Sequence, residues 1–68
     1  MNNLLEGCNT SAKIKALIAS RNHTQNDLAK LLELGASAIV YRITENRWDV
    51  KEVEKIAEHY GVTKQDLI

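Results

Sequence analysis

Three stretches of the chain repeat one arrangement: Thr24-Gln25-Asn26-Asp27, Asp49-Val50-Lys51-Glu52 and Thr63-Lys64-Gln65-Asp66. Each begins with a short side chain ending in oxygen and places a carboxylate three residues later. The first turn of an α-helix carries backbone N–H groups that have no partner inside the helix. A Thr or Asp at the N-cap accepts from one of them, and an acid at the third helical position reaches back to the N-cap N–H. The same carboxylate lies at the positive end of the helix dipole. The pattern predicts helix starts at Thr24, Asp49 and Thr63, and the chain contains no proline to interrupt the helices.

Apolar residues between these starts recur at intervals of three and four, the period of a helix packed on one face. A first helix opens at Thr10 or Ser11, one of which is the expected N-cap, and carries the stripe Ile14, Leu17 and Ile18. Arg21-Asn22-His23 breaks that stripe. The second helix turns Leu28, Ala29 and Leu32 inward and ends in the turn Glu33-Leu34-Gly35, where Gly35 is expected to relieve backbone strain. The third runs from about Ala36 to Thr44 with Ile39 and Ile43 inward, and Glu45-Asn46-Arg47 forms a polar loop. The fourth carries Val53, Ile56, Ala57 and Tyr60 and closes at Gly61. A short last element brings in Leu67 and Ile68. The expected architecture is a compact, all-α, five-helix domain over residues 10–68, preceded by a flexible tail over residues 1–9 in which Leu4 and Leu5 are free to dock. At 68 residues the chain is a single domain near the lower size limit for an unstapled core.

Composition narrows the function classes. One cysteine, Cys8, permits no internal disulfide, and with only His23 and His59 beside it there is no zinc-ligand spacing. Neither histidine sits in a catalytic constellation, and Cys8 has no nearby base to activate it. The three glycines, at 7, 35 and 61, form no phosphate loop. Glu52, Glu54 and Glu58 interleave with Lys51 and Lys55 as on an ordinary solvated helix face. No catalytic residues, metal, cofactor or small-molecule ligand are expected. No apolar run approaches the roughly 20 residues of a membrane span, and no signal sequence is present, so the expected compartment is the cytoplasm. Nine basic and nine acidic residues cancel. Residues 1–47 hold six Lys/Arg against four Asp/Glu, and residues 48–68 hold three against five, so the excess of positive charge lies in the first part.

That part contains TQNDLAKLLELGASAIVYRI, Thr24 to Ile43, which reads as two short helices joined by a tight turn: a helix-turn-helix unit over about residues 24–44. In such a unit the first helix braces across the DNA backbone and the N-terminal part of the second enters the major groove. Thr24-Gln25, Asp27-Leu28-Ala29, Leu32, the run Ile39 to Ile43, Asn46-Arg47 and the segment Ile56 to Val62 together resemble the lambda-repressor-like family of regulators found in phage switches and small bacterial regulators. The likeness extends over roughly residues 12–68. It implies a five-helix fold, transcription regulation in the bacterial cytoplasm, no cofactor, and dimeric binding to paired half-sites of a double-stranded DNA operator.

Carried onto this sequence, the resemblance places Gln25 on a phosphate or base edge. It turns Ala36, Ser37, Val40 and Tyr41 toward the groove, with Arg42 flanking it and Asn46 and Arg47 on the phosphate backbone. Gln25 also serves as a plain helix-start residue and Arg42 as a surface charge, and Trp48 is expected between the third and fourth helices. The chain departs from the family at two points. Glu33 occupies a turn position often held by glycine and adds negative charge near the expected phosphates, and Gly35 replaces the usual serine cap of the reader helix. The groove-facing set contains no side chain able to make a bidentate base contact. Leu31, off the core stripe, is expected either to extend apolar surface toward Val40 and Ala36 or to be partly buried under the N-terminal tail. These features support an alternative: an antirepressor or modulator that uses the same surface to bind another regulator protein, or a second copy of itself.

Overall fold

The computed structural model describes residues 9–68. The expectations for Leu4, Leu5 and Cys8, and for the tail as far as residue 8, lie outside the described residues. Among the described residues four α-helices succeed one another, α1 (Thr10–Ser20), α2 (Gln25–Leu32), α3 (Ala36–Glu45) and α4 (Val50–Tyr60), and Lys64–Asp66 adds a single 3-10 turn. Among the described residues there is no strand. The expected fifth helix is this 3-10 turn of three residues.

The helix starts obey local capping. Thr24 and Asp27 cap α2 reciprocally, Asp49 and Glu52 cap α4, and Thr63 and Asp66 cap the 3-10 turn. The N-cap of α1 is neither Thr10 nor Ser11 but Asn9, whose Oδ1 accepts the Ala12 N–H at 2.8 Å. Ser11 is unavailable for that role because its side chain points into the protein, where it is 3 % exposed.

The helix ends share one device. Asn22, Glu33, Asn46 and Gly61 adopt left-handed backbone, with φ of 60°, 58°, 53° and 70°. After each, the next N–H reaches back five residues to a carbonyl: His23 to Ile18, Leu34 to Ala29, Arg47 to Arg42 and Val62 to Ala57. This closure absorbs carbonyls that the last turn leaves unpaired, and the residue after the left-handed one often packs inward. Leu34 and Val62 do so, lying against the core. The strain expected at Gly35 sits instead at Glu33, two residues earlier. Gly35 has an extended backbone, φ −76°, and is the N-cap of α3.

The core is Ile14 and Ile18 of α1, Leu28 and Ala29 of α2, Ile39 of α3, and Val53, Ile56, Ala57 and Tyr60 of α4, with Leu67 folded in from the C-terminal turn. The small side chain of Ala29 suits the close α2–α3 packing, the most extensive between any two elements. Leu17, Leu32, Ile43 and Trp48 are partly buried around this core. Leu31 belongs with them: it lies partly buried against the core and lines a groove with Lys55, Glu58 and His59 of α4.

Candidate functional site

With Ile39 committed to the core, the 3.6-residue period leaves the opposite side of α3 in solvent. Ala36, Ser37, Val40, Tyr41 and Thr44 are all exposed and form a continuous stripe roughly 12 Å long at the helical rise. Val40 and Tyr41 are its prominent members, 52 % and 55 % exposed. The structure thus brings together four expected site residues, Ala36, Ser37, Val40 and Tyr41. Thr44 continues the stripe at the next turn; the same spacing discloses it, although it is absent from the expected set.

The remaining expected residues fall elsewhere. Gln25 is exposed at the first position of α2, and Arg47 is exposed just beyond the end of α3. Arg42 does not project outward as a flanking cation. Its Nε donates to both Glu52 oxygens at 2.9 and 3.0 Å, and its Nη1 donates to the Ala38 carbonyl at 3.3 Å. The Glu52 hydrogen bond raises the guanidinium pKa still further, against the opposing effect of burial. Glu52 in turn accepts the Asp49 N–H at 3.1 Å, so one carboxylate both caps α4 and holds Arg42.

Asn46 is likewise occupied. Its Oδ1 accepts both the N–H and the Oγ–H of Ser11, each at 3.0 Å. The Ser11 hydroxyl accepts the Trp48 indole N–H at 2.9 Å, and the Arg42 carbonyl lies 3.3 Å from the same oxygen. Trp48 is therefore a plug with a polar tether: its ring is partly buried beside the core and its nitrogen fixes the α3–α4 loop to the start of α1. These partners are more than thirty residues apart in sequence, and no local pattern announces them.

The turn between α2 and α3 carries Glu33, whose carboxylate lies 3.7 Å from Lys55 Nζ on α4. With the Glu33 side chain 85 % exposed, this pair is a weak surface contact. Gly35 provides no side-chain acceptor, so α3 alone among the four helices begins without a side-chain cap. His23 Nδ1 lies 2.7 Å from the Tyr60 hydroxyl, and both His23 and His59 meet the Tyr60 ring edge-on. Burial pushes the Tyr60 hydroxyl pKa up.

A cavity of about 190 Å³ lies between Thr10, Asn46, Trp48, Val50, Val53, Lys64 and Ile68, and among the described residues Lys64 is the single ionisable side chain on its wall. Among the described residues no group of three or more His, Cys, Asp or Glu could hold a metal ion, and no helix is long and apolar enough to cross a membrane. In comparisons with known proteins the chain matches no protein-family model, no characterised protein and no solved structure.

Proposed function

We propose that the chain is a small transcription regulator of the phage or bacterial type, which binds double-stranded DNA by laying α3 in the major groove. The observation that carries this reading is the exposed stripe of α3, presented beyond a short, tightly packed α2. An α-helix fits a B-DNA major groove about 12 Å wide. In this arrangement α2 and α3 act as a helix-turn-helix, and the 3-10 turn stands where the lambda-repressor-like family has its fifth helix. Arg47 supplies a cation at the end of α3, Gln25 contacts the backbone from the start of α2, and the uncapped N–H groups of α3 face the same anionic surface. Arg42 and the Asn46 carbonyl leave the contacting set, since both serve internal partners.

A second reading, an antirepressor docking on another regulator, draws support from the same stripe. Its most exposed large residues are Val40 and Tyr41, and the one arginine of α3 is bound to Glu52.

Binding of the purified chain to the DNA flanking its own gene, measured across salt concentrations, separates the two. Saturable binding that weakens steeply with salt is expected for a DNA reader. No binding at low salt, together with a co-purifying regulator, would replace it with the protein-binding reading. Arg47→Ala should reduce DNA affinity and flatten the salt slope. Function lost with Val40→Asp but retained with Arg47→Ala would mark a protein interface.

A further inference from the structure

We infer that α3 selects its DNA chiefly through the 5-methyl groups of thymine, with Val40 as the main contact and Ala36 beside it. This rests on the DNA reading of α3 and names what that surface recognises. Discrimination by hydrogen bonds needs a side chain that presents two matched groups to one base edge, as Arg does to guanine or Asn and Gln do to adenine. The outward stripe of Ala36, Ser37, Val40, Tyr41 and Thr44 contains none. The two residues of the right type closest to it in sequence are both engaged. Arg42 has its Nε on both oxygens of Glu52 and Nη1 on the Ala38 carbonyl. An adenine contact would need the Asn46 Oδ1, which already accepts two hydrogen bonds from Ser11. Gln25 lies on α2, at the far end of the turn.

What α3 offers is apolar surface at its exposed centre, flanked by hydroxyls that form single hydrogen bonds. The thymine methyl is the one apolar group on the base edges of the major groove, so Val40 and Ala36 have one complementary partner there. Exposed Arg47 at the end of the helix and the basic excess of residues 1–47 supply attraction to phosphate without choosing a sequence. Removing one contacted methyl should weaken binding roughly fourfold, the factor corresponding to about 0.8 kcal/mol for a methylene-sized group.

The test selects bound duplexes from a random-sequence pool with the full chain, then compares the winners made with thymine against the same sequences made with deoxyuridine, which lacks only the methyl. Selection should enrich adjacent A·T pairs, and the deoxyuridine copies should bind roughly fourfold more weakly per contacted methyl. Val40→Ala, at a solvent-exposed position that leaves the core intact, should weaken binding to the thymine duplex and have little effect on the deoxyuridine one. Winners fixed by G·C pairs, equal binding of the two duplexes, or an equal effect of Val40→Ala on both would overturn the proposal. Salt-sensitive DNA binding would persist in each of those cases, so the DNA reading would stand. Absence of salt-sensitive binding to any member of the pool would remove both.

Discussion

Glu33 and Asn46 both terminate a helix in left-handed backbone, yet they should respond oppositely to the same substitution. A non-glycine residue in this region costs on the order of 1 kcal/mol, and glycine adopts it freely. Glu33 offers only a loose, solvent-exposed contact with Lys55 in return. Glu33→Gly should therefore raise stability by about 1 kcal/mol. On the proposed DNA reading, it should also strengthen binding at low salt by removing a negative charge from the α2–α3 turn. Asn46→Gly relieves the same backbone strain but deletes the acceptor of two Ser11 hydrogen bonds, and it should be destabilising by about 1–2 kcal/mol net. Chemical denaturation of the two variants checks the pair, and a stabilised Asn46→Gly protein would show that the Ser11 contact contributes little.

At the scale of elements, the decisive joint is between the start of α1 and the α3–α4 loop. Ser11→Ala leaves the part-buried Trp48 N–H without its acceptor, and a loss of about 1–3 kcal/mol is expected. Trp48 is the single tryptophan, so its emission reports the loosened joint directly. An unchanged spectrum together with unchanged stability would mean water replaces the serine at no cost. This joint also marks the limit of what the sequence discloses. The starts of α2 and α4 and the stop at Gly61 are legible because caps and boxes are made by residues within five positions of one another. The stripe Val53, Ile56, Ala57 and Tyr60 is legible because burial obeys the helical period. The reassignment of Arg42 depends on Glu52, ten residues on and in the next helix. The inward turn of Ser11 depends on Asn46 and Trp48, so a residue that reads locally as a cap proves to be a tether. The outward set of α3 is visible in the sequence, but which of its polar neighbours remain free to bind is not.

For the molecule as a whole, stability should peak between two titrations. Backbone N–H donation from Thr24 and Thr63, reinforced by their side chains, holds the Asp27 and Asp66 carboxyls below the usual range. A depressed folded pKa contributes stability that is fully present above the unfolded value and lost as pH falls through the folded one. Burial raises the Tyr60 pKa, so its contribution is complete below the ordinary tyrosine range and lost as pH rises through the folded value. Melting temperature should hold level through neutrality and fall on both sides. Tyr60→Phe should soften the alkaline fall, and joint Asp27→Asn and Asp66→Asn should soften the acid one. An acid limb unaltered in that double variant would assign it to other carboxylates.

The shared closure of the helices has a consequence in time. Because each helix carries its own stop within six residues, the helices themselves form with little help from distant parts of the chain, and such local contacts favour fast folding. Domains built this way reach the native state within microseconds to milliseconds. A temperature-jump experiment tracking Trp48 should find relaxation in that range. A chain that folds this way reaches its working shape almost as soon as it leaves the ribosome.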